Sequence, residues 1–133
     1  MAGILVNEGE IETLKRMVNK STPADLVLRL FSNNVTPAET DTCTTYTECN
    51  ITGYSAITLT GSDWTVVTDA DGKGKASYAE QTFSLSASGT VYGYYITNSD
   101  KTILFIAEAF SDGPYNIPSG GGEIHITPTI KLD

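Results

Sequence analysis

Basic residues and histidine are scarce in this chain of 133 residues. Eight lysines and arginines stand against sixteen aspartates and glutamates, and the formal net charge is −8. A nucleic-acid-binding protein needs clustered Lys and Arg to contact phosphates, so this balance argues against that class of partner. One histidine, His125, is too few for a histidine-rich metal site. We therefore expect no nucleic-acid partner, no metal and no cofactor.

Long apolar runs are also missing. None approaches the ~20 residues that a membrane-spanning helix needs, so we expect no membrane partner. Residues 1–6 lack the basic flank of a signal peptide and are shorter than its apolar region. We therefore expect a protein made in the cytoplasm and not exported. Cys43 and Cys49 are then expected as free thiols, although a disulfide between adjacent strands stays open.

The N-terminal part of the chain predicts one short helix. Four apolar residues recur at the spacing of a single helical stripe: Ile11, Leu14, Met17 and Val18. Asn7 and Glu10 have the spacing of a capping box, and Pro23 prevents the helix from continuing. We predict a helix over residues 8–19. About three turns are marginal in isolation, so we expect this helix to dock on another part of the protein.

The chain after Pro23 has the patterns of β-strands. Residues 103–110 are nearly continuously apolar, which predicts a strand covered on both faces. Apolar and polar residues alternate over residues 123–132, which predicts one half-buried strand with Pro128 at a sheet edge or a bulge. Turn signals such as Asp71-Gly72 recur roughly every 10 to 20 residues.

These signals together predict a mainly β fold. We expect about eight strands in an antiparallel β-sandwich or jelly roll, preceded by one short helix. Residues 1–22 form an N-terminal arm and helix in this interpretation, and residues 23–133 form the β-sandwich domain.

No arrangement of reactive side chains indicates an enzyme. His125 falls on the polar face of its predicted strand, which is typical of a solvent-facing residue and not of a catalytic base. The nucleophile elbow G-x-S-x-G is absent. Glu108 lies inside an apolar run, and we expect it to be partly buried and paired with Arg29 or with a partner's cation. A lone carboxylate is not the pair that a glycosidase needs.

Asp69 and Asp71 resemble the start of a calcium-binding loop. Lys73 and Lys75 stand where further oxygen ligands are needed, so the segment predicts a polar hairpin turn.

Three tyrosines surround Gly93 in one predicted strand. Tyr92 and Tyr94 share a face and Tyr95 takes the other, so one set is expected in the core and one near the surface. Exposed tyrosines on a strand often anchor interfaces, and half-burial under loops is the alternative. We take Tyr92 and Tyr94 as candidate partner-binding residues. Gly93 is expected to allow a neighbouring segment to approach closely.

A set of spaced aromatic, glycine and proline positions resembles a known group of proteins. The positions are LFSNNVTP (30–37), YTE (46–48), GYSAITL (53–59), Trp64, Tyr78, TF (82–83), VYGYY (91–95), FSDGPY (110–115) and ITPTI (126–130). Across residues 24–132 the chain resembles the small jelly-roll cement, or head decoration, proteins of tailed bacteriophages. The resemblance implies a β-sandwich on the outer surface of the virion that binds the major capsid protein and locks neighbouring capsomers. It implies self-association as a dimer or trimer and no catalytic residues.

The arm and the helix offer the surface that such a protein needs. Ile4, Leu5 and Val6 are expected to add a strand to a neighbour's sheet edge, or to fold back on their own sandwich. With Ile11 and Leu14 they form the candidate partner-binding set. Two other functions stay open at this point: a tail or baseplate adaptor, and a carbohydrate-binding sandwich that uses Trp64 or the tyrosine strand as a stacking platform.

Overall fold

The computed structural model describes residues 3–132. Within them the chain forms one α-helix, two single turns of 3₁₀ helix (Cys43–Thr45 and Gly61–Asp63) and twelve strands. The helix is α1 (Asn7–Met17). The strands are β1 (Ile4–Leu5), β2 (Leu26–Phe31), β3 (Ile57–Leu59), β4 (Thr65–Thr68), β5 (Gly74–Ser77), β6 (Gln81–Leu85), β7 (Gly89–Val91), β8 (Gly93–Thr97), β9 (Leu104–Ala109), β10 (Tyr115–Ile117), β11 (Gly122–Ile126) and β12 (Thr129–Lys131).

The strands of residues 3–132 form four antiparallel sheets. The largest has five strands in the order β1-β9-β8-β2-β3, and a second has three in the order β12-β5-β4. Two further pairs are β10-β7 and β11-β6. The protein is mainly β with one α-helix, as predicted, and its layers are consistent with a β-sandwich. The jelly-roll strand order stays a prediction.

One face of the five-stranded sheet forms the larger core. Because side chains alternate along a strand, every second residue of β2 and β8 points to this face. The sheet contributes Leu28, Leu30, Tyr94 and Ile96, and the two-stranded pair β11-β6 contributes Phe83, Leu85, Ile124 and Ile126. This cluster joins the sheets into one packed body.

The opposite face of the same sheet is covered by loop segments and by the start of α1. Phe31 and Tyr95 meet Tyr46 there, with ring centroids 4.7 Å apart for Phe31–Tyr46 and 5.3 Å for Tyr46–Tyr95. Cys43 is buried in this cluster, and Cys49 belongs to the larger core on the other face. Both are free thiols, as predicted, and burial raises the pKa of Cys43 to about 11.

The predicted single C-terminal strand is wrong. The chain forms two strands, β11 and β12, on either side of Pro128. β11 pairs with β6, whereas β12 pairs with β5 in another sheet. Pro128 has no N–H to continue a ladder, so the chain changes sheets at this residue, and the carbonyl of Pro128 accepts a hydrogen bond from the amide of Tyr78.

The strand count of about eight is too low for a similar reason. The predicted tyrosine strand divides at Tyr92 into β7 and β8, which pair with different strands. Gly93 allows the close approach expected of it, because a Cβ there would overlap the carbonyl oxygen of Glu108. Residues 103–110 are confirmed as a well-covered strand, since the first four residues of β9 are buried.

Helix α1 begins and ends close to the predicted bounds, but its first turn is capped differently. The residue before the helix is Val6, and no side chain caps it. The predicted cap at Asn7 is therefore wrong: its amide instead donates to the backbone carbonyl of Glu39. At the other end Asn19 has a φ of 62°, and the following amide of Lys20 donates back to Lys15. This left-handed residue ends the helix before Pro23 is reached.

Candidate interaction surface

Helix α1 docks on the five-stranded sheet with the face opposite to its apolar stripe. Gly9 and Glu12 are its buried residues. The stripe points away from the protein, and the exposed fractions of its members are 56% for Ile11, 57% for Leu14, 73% for Met17 and 66% for Val18. We call these four residues the outer stripe. The expectation that α1 docks is confirmed, but its apolar side is not the docking side.

The absence of a side chain at Gly9 explains this orientation. A Cβ at Gly9 would lie 2.7 Å from the Cα of Phe105, so the helix backbone rests directly on β9. The amide of Val6 donates to the carbonyl of Phe105 at 3.0 Å, and the carboxylate of Glu8 accepts a hydrogen bond from the amide of Leu104. Backbone contacts and one carboxylate therefore hold the start of α1 in place.

The rest of the docking face is polar and well paired. Glu12 accepts hydrogen bonds from Ser21 Oγ at 2.7 Å and from Arg16 Nε at 3.2 Å. The bond from Ser21, followed by the effect of Arg16, lowers the pKa of Glu12. The Arg16 guanidinium lies 5.1 Å from the centroid of the Phe105 ring. Because these groups satisfy one another, the helix needs none of its apolar stripe for docking.

An apolar groove separates α1 from the three-stranded sheet. It has a volume of about 310 Å³ and opens to solvent. Leu5, Thr13, Arg16 and Phe105 line one side, and Val66, Ala76, Ile130 and Leu132 line the other. Val66, Ala76 and Ile130 lie side by side on neighbouring strands, so they form one continuous row on the sheet.

Exposed large apolar side chains are confined to this part of the molecule. Among residues 3–132 there are eight, and all lie on β1, on α1, on β4 or next to the ends of α1 and β12: Ile4, Ile11, Leu14, Met17, Val18, Val66, Val67 and Leu132. We call these eight residues the apolar surface. The outer stripe occupies one face of α1, whereas Val66 and Leu132 line the groove. Exposed apolar side chains that cluster in this way mark interaction sites.

The N-terminal arm takes the second of its two predicted arrangements. Ile4 pairs with Ala107, so β1 is an edge strand of the protein's own five-stranded sheet. Ile4 is exposed and Leu5 half-buried at the groove. Val6 is completely buried, which corrects its selection as a partner-binding residue. Its burial follows from its place between β1 and α1, where the chain turns over β9.

The tyrosine strand offers little surface. Tyr94 is 3% exposed in the larger core and Tyr95 is buried on the opposite face, so the selection of Tyr94 as a partner-binding residue is also corrected. The pleat separates Tyr94 from Tyr95, as predicted, but layers cover both faces. The prediction that Tyr92 shares a face with Tyr94 is wrong, because Tyr92 packs against the cluster that contains Tyr95. Tyr92 is half-buried between β7 and β8. Trp64 is half-buried as well and packs edge-on against Tyr78 at 5.2 Å.

Neither His125 nor Glu108 is part of the apolar surface. His125 is exposed, as predicted, and its Nδ1 lies 3.0 Å from Thr82 Oγ1. Glu108 is half-buried, but its predicted pairing with Arg29 is wrong. Arg29 pairs across the sheet with Tyr95 and points to the other face, where its side chain bonds Glu48.

The segment around Asp69 is the predicted hairpin turn. Asp69 Oδ1 accepts hydrogen bonds from the amides of Asp71 and Lys73, and Lys131 Nζ lies 2.7 Å from Asp69 Oδ2. The hydrogen bond from Lys131 is the largest of the effects that lower the pKa of Asp69 to about 2. No group of three or more metal-ligating side chains occurs between residues 3 and 132.

The sequence does not predict the partly buried polar network around Glu48. Glu48 accepts hydrogen bonds from Tyr54 at 2.7 Å, from Lys101 at 3.0 Å and from Arg29 at 3.0 Å. Burial alone would raise the pKa of Glu48, but these three hydrogen bonds outweigh it and the pKa is lowered. The network ties the loop after the first 3₁₀ turn to β2. No local pattern in the sequence signals it, because its members are far apart in the chain.

Comparisons with known proteins found no match, whether among protein-family models, curated proteins or solved structures. Within the described part of the chain, α1 is the only α-helix and falls short of what a membrane-spanning helix requires.

Proposed function

We propose that this protein is a structural protein of a tailed bacteriophage, a cement or decoration protein that binds the assembled major capsid protein on the outer surface of the head. The residue positions that resemble such proteins suggested the proposal. The observation that carries it is the apolar surface around α1 and the three-stranded sheet, with the groove between them.

An apolar surface beside a closed core is what a protein needs when a partner covers it. The interior of this chain is already packed on both faces of the five-stranded sheet. Each apolar side chain that a partner then buries contributes roughly 25 cal/mol per Å² of area removed from water. A net charge of −8 opposes aggregation of the free protein through self-repulsion.

A protein that binds the assembled lattice, and not the free capsid protein, would stabilise the head. A ligand that binds one state stabilises it by RT ln(1 + [L]/Kd), which is about 2.7 kcal/mol per site at a hundredfold excess over Kd. Repeated over many capsid sites, this free energy opposes the outward pressure of the packaged genome. The carbohydrate-binding alternative has less support, because two of the three tyrosines of its platform are buried.

The test is binding to expanded, empty heads of the cognate phage that lack this protein. Sedimentation should show saturable binding of the wild type and a higher disruption temperature of the heads. Leu14→Asp and Val66→Asp place a charge in the apolar surface and should weaken binding at least about tenfold. The control is Ser84→Asp, which adds the same charge at an exposed residue of β6 and should bind as the wild type.

Two results would contradict the proposal. One is the absence of binding to heads at micromolar protein. The other is the finding of the protein in purified tails and not in heads, which would favour the tail or baseplate adaptor.

A further inference from the structure

We infer that an extended segment of the major capsid protein adds to β4 (Thr65–Thr68) as a further antiparallel strand. The inference rests on the proposed function and names the form that the partner takes at this surface. It concerns the backbone of β4, whereas the proposed function depends on apolar side chains. Its starting point is that β4 is the only strand between residues 3 and 132 in which every residue is exposed.

The hydrogen bonds of β5 show which backbone groups of β4 point outward. β5 lies between β4 and β12 in the three-stranded sheet. The amide of Leu132 donates to the carbonyl of Gly74, and the amide of Tyr78 donates to the carbonyl of Pro128. Because the bonding direction alternates along an antiparallel strand, the even-numbered residues of β5 bond β12 and the odd-numbered residues bond β4.

Val66 and Thr68 therefore direct their backbone groups away from the sheet. Thr65 and Val67 stand opposite the odd-numbered residues of β5 and bond them. The N–H and C=O groups of Val66 and Thr68 point to the other side, where no strand of residues 3–132 pairs with β4. Donors and acceptors that recur at every second residue are complemented by an extended chain, which makes about four main-chain hydrogen bonds here.

β4 lacks the features that commonly shield an exposed sheet edge. Such edges carry charged residues, proline or a β-bulge, which discourage pairing with another chain. β4 consists of two valines between two threonines, and its ladder with β5 runs without a register shift. All four residues are β-branched, a type enriched in strands. The edge is therefore regular, uncharged and open to an added strand.

The groove selects the side chain that the added strand carries. Residues directly opposite each other on neighbouring strands place their side chains on the same face. Val66 stands opposite Ala76, and Ala76 stands opposite Ile130, so this row lines the groove. The capsid residue opposite Val66 extends the row by one strand. An apolar residue is therefore favoured at that position of the capsid segment.

The first experiment separates the backbone of β4 from its side chains. Thr68→Pro removes an outward N–H without breaking a hydrogen bond to β5, and should weaken binding to expanded, empty heads at least about fivefold. The matched control is Thr68→Val, which keeps the N–H and the shape of the side chain and should bind as the wild type. Circular dichroism and urea unfolding establish that both variants are folded.

The second experiment needs no variant. Hydrogen exchange of the wild type is followed by mass spectrometry, with the protein free and bound to the same heads. The amides of Val66 and Thr68 should exchange fast in the free protein and become protected on the heads. Contact through side chains alone would leave these amides without a new acceptor.

Three outcomes would count against the inference. Equal binding of Thr68→Pro and Thr68→Val, or β4 amides that exchange as fast on heads as in solution, would overturn it and leave the proposed function standing. A wild type that does not bind heads would overturn the proposed function and this inference with it. Protection of β4 that rises with the concentration of the free protein would identify a second copy as the occupant, and would also overturn the inference.

Discussion

The five-stranded and three-stranded sheets both contain apolar residues, but these residues are buried in one sheet and exposed in the other. In β2 every residue from Val27 to Phe31 is buried, whereas all four residues of β4, Thr65–Thr68, are exposed. β2 has a neighbouring strand on each side and packed layers on both faces. β4 is an edge strand, and one face of its sheet borders the groove. Position among the layers, more than composition, decides which apolar residues are buried.

The largest change in stability is expected when one apolar residue of each sheet is shortened to alanine and the two losses are compared. Leu28→Ala should lower the free energy of unfolding by about 2–5 kcal/mol, because it leaves a cavity in the larger core. Val66→Ala should change it by less than about 0.5 kcal/mol, because the valine is 72% exposed. Urea unfolding of both variants measures the difference. Equal losses would show that the three-stranded sheet is as closely packed as the other.

A second effect concerns the loop-covered face of the five-stranded sheet. Glu48→Gln should lower the free energy of unfolding at neutral pH by about 1–3 kcal/mol, because Arg29 and Lys101 lose their charged acceptor. The lowered pKa of Glu48 means that its contribution is present above the unfolded value of about 4.3 and is lost as the pH falls through the folded value.

The pH dependence separates this network from general acid effects. Unfolding measured from neutral to acidic pH should show the wild type approaching the Glu48→Gln variant below about pH 4. Glu39→Gln, at an exposed glutamate, should follow the wild-type curve throughout. A Glu48→Gln deficit that persists unchanged in acid would contradict the assigned role of the carboxylate.

The smallest expected effect concerns the contact between α1 and β9. Gly9→Ala should destabilise the protein by about 1–2 kcal/mol: the new Cβ meets the backbone of Phe105, although alanine favours the helix. Gly120→Ala is the matched control, because a Cβ there meets nothing within 4 Å. Hydrogen exchange of the α1 amides should report a loosened helix in Gly9→Ala alone. Unchanged exchange would mean that the helix does not rest on its backbone.

Local patterns predicted the features that depend on neighbouring residues. The 3.6-residue spacing of Ile11 and Leu14 located the helix, and the alternation after Pro23 indicated a mainly β protein. Asp69 and Asp71 predicted their hairpin turn, and His125 its exposed position. Each of these depends on backbone geometry or on side chains a few residues apart.

The candidate site was predicted only in part. The sequence predicts Ile11 and Leu14 at the partner-binding surface, and both are exposed. It predicts Val6 and Tyr94 there as well, and both are buried. Val66, Val67 and Leu132 were missed, because apolar residues in a strand ordinarily indicate a core. Nothing in the sequence says that β4 lies at a sheet edge.

Composition and short-range spacing are enough to predict the helix, the abundance of short strands and the acidic charge. Tertiary structure alone decided which face of α1 is buried, where the C-terminal strand changes sheets and which cations meet Glu48. A hydrophobic pattern indicates how much apolar surface a segment carries, but not what covers that surface. Whether that surface meets the chain's own core depends on contacts between residues far apart in sequence, such as Gly9 with Phe105.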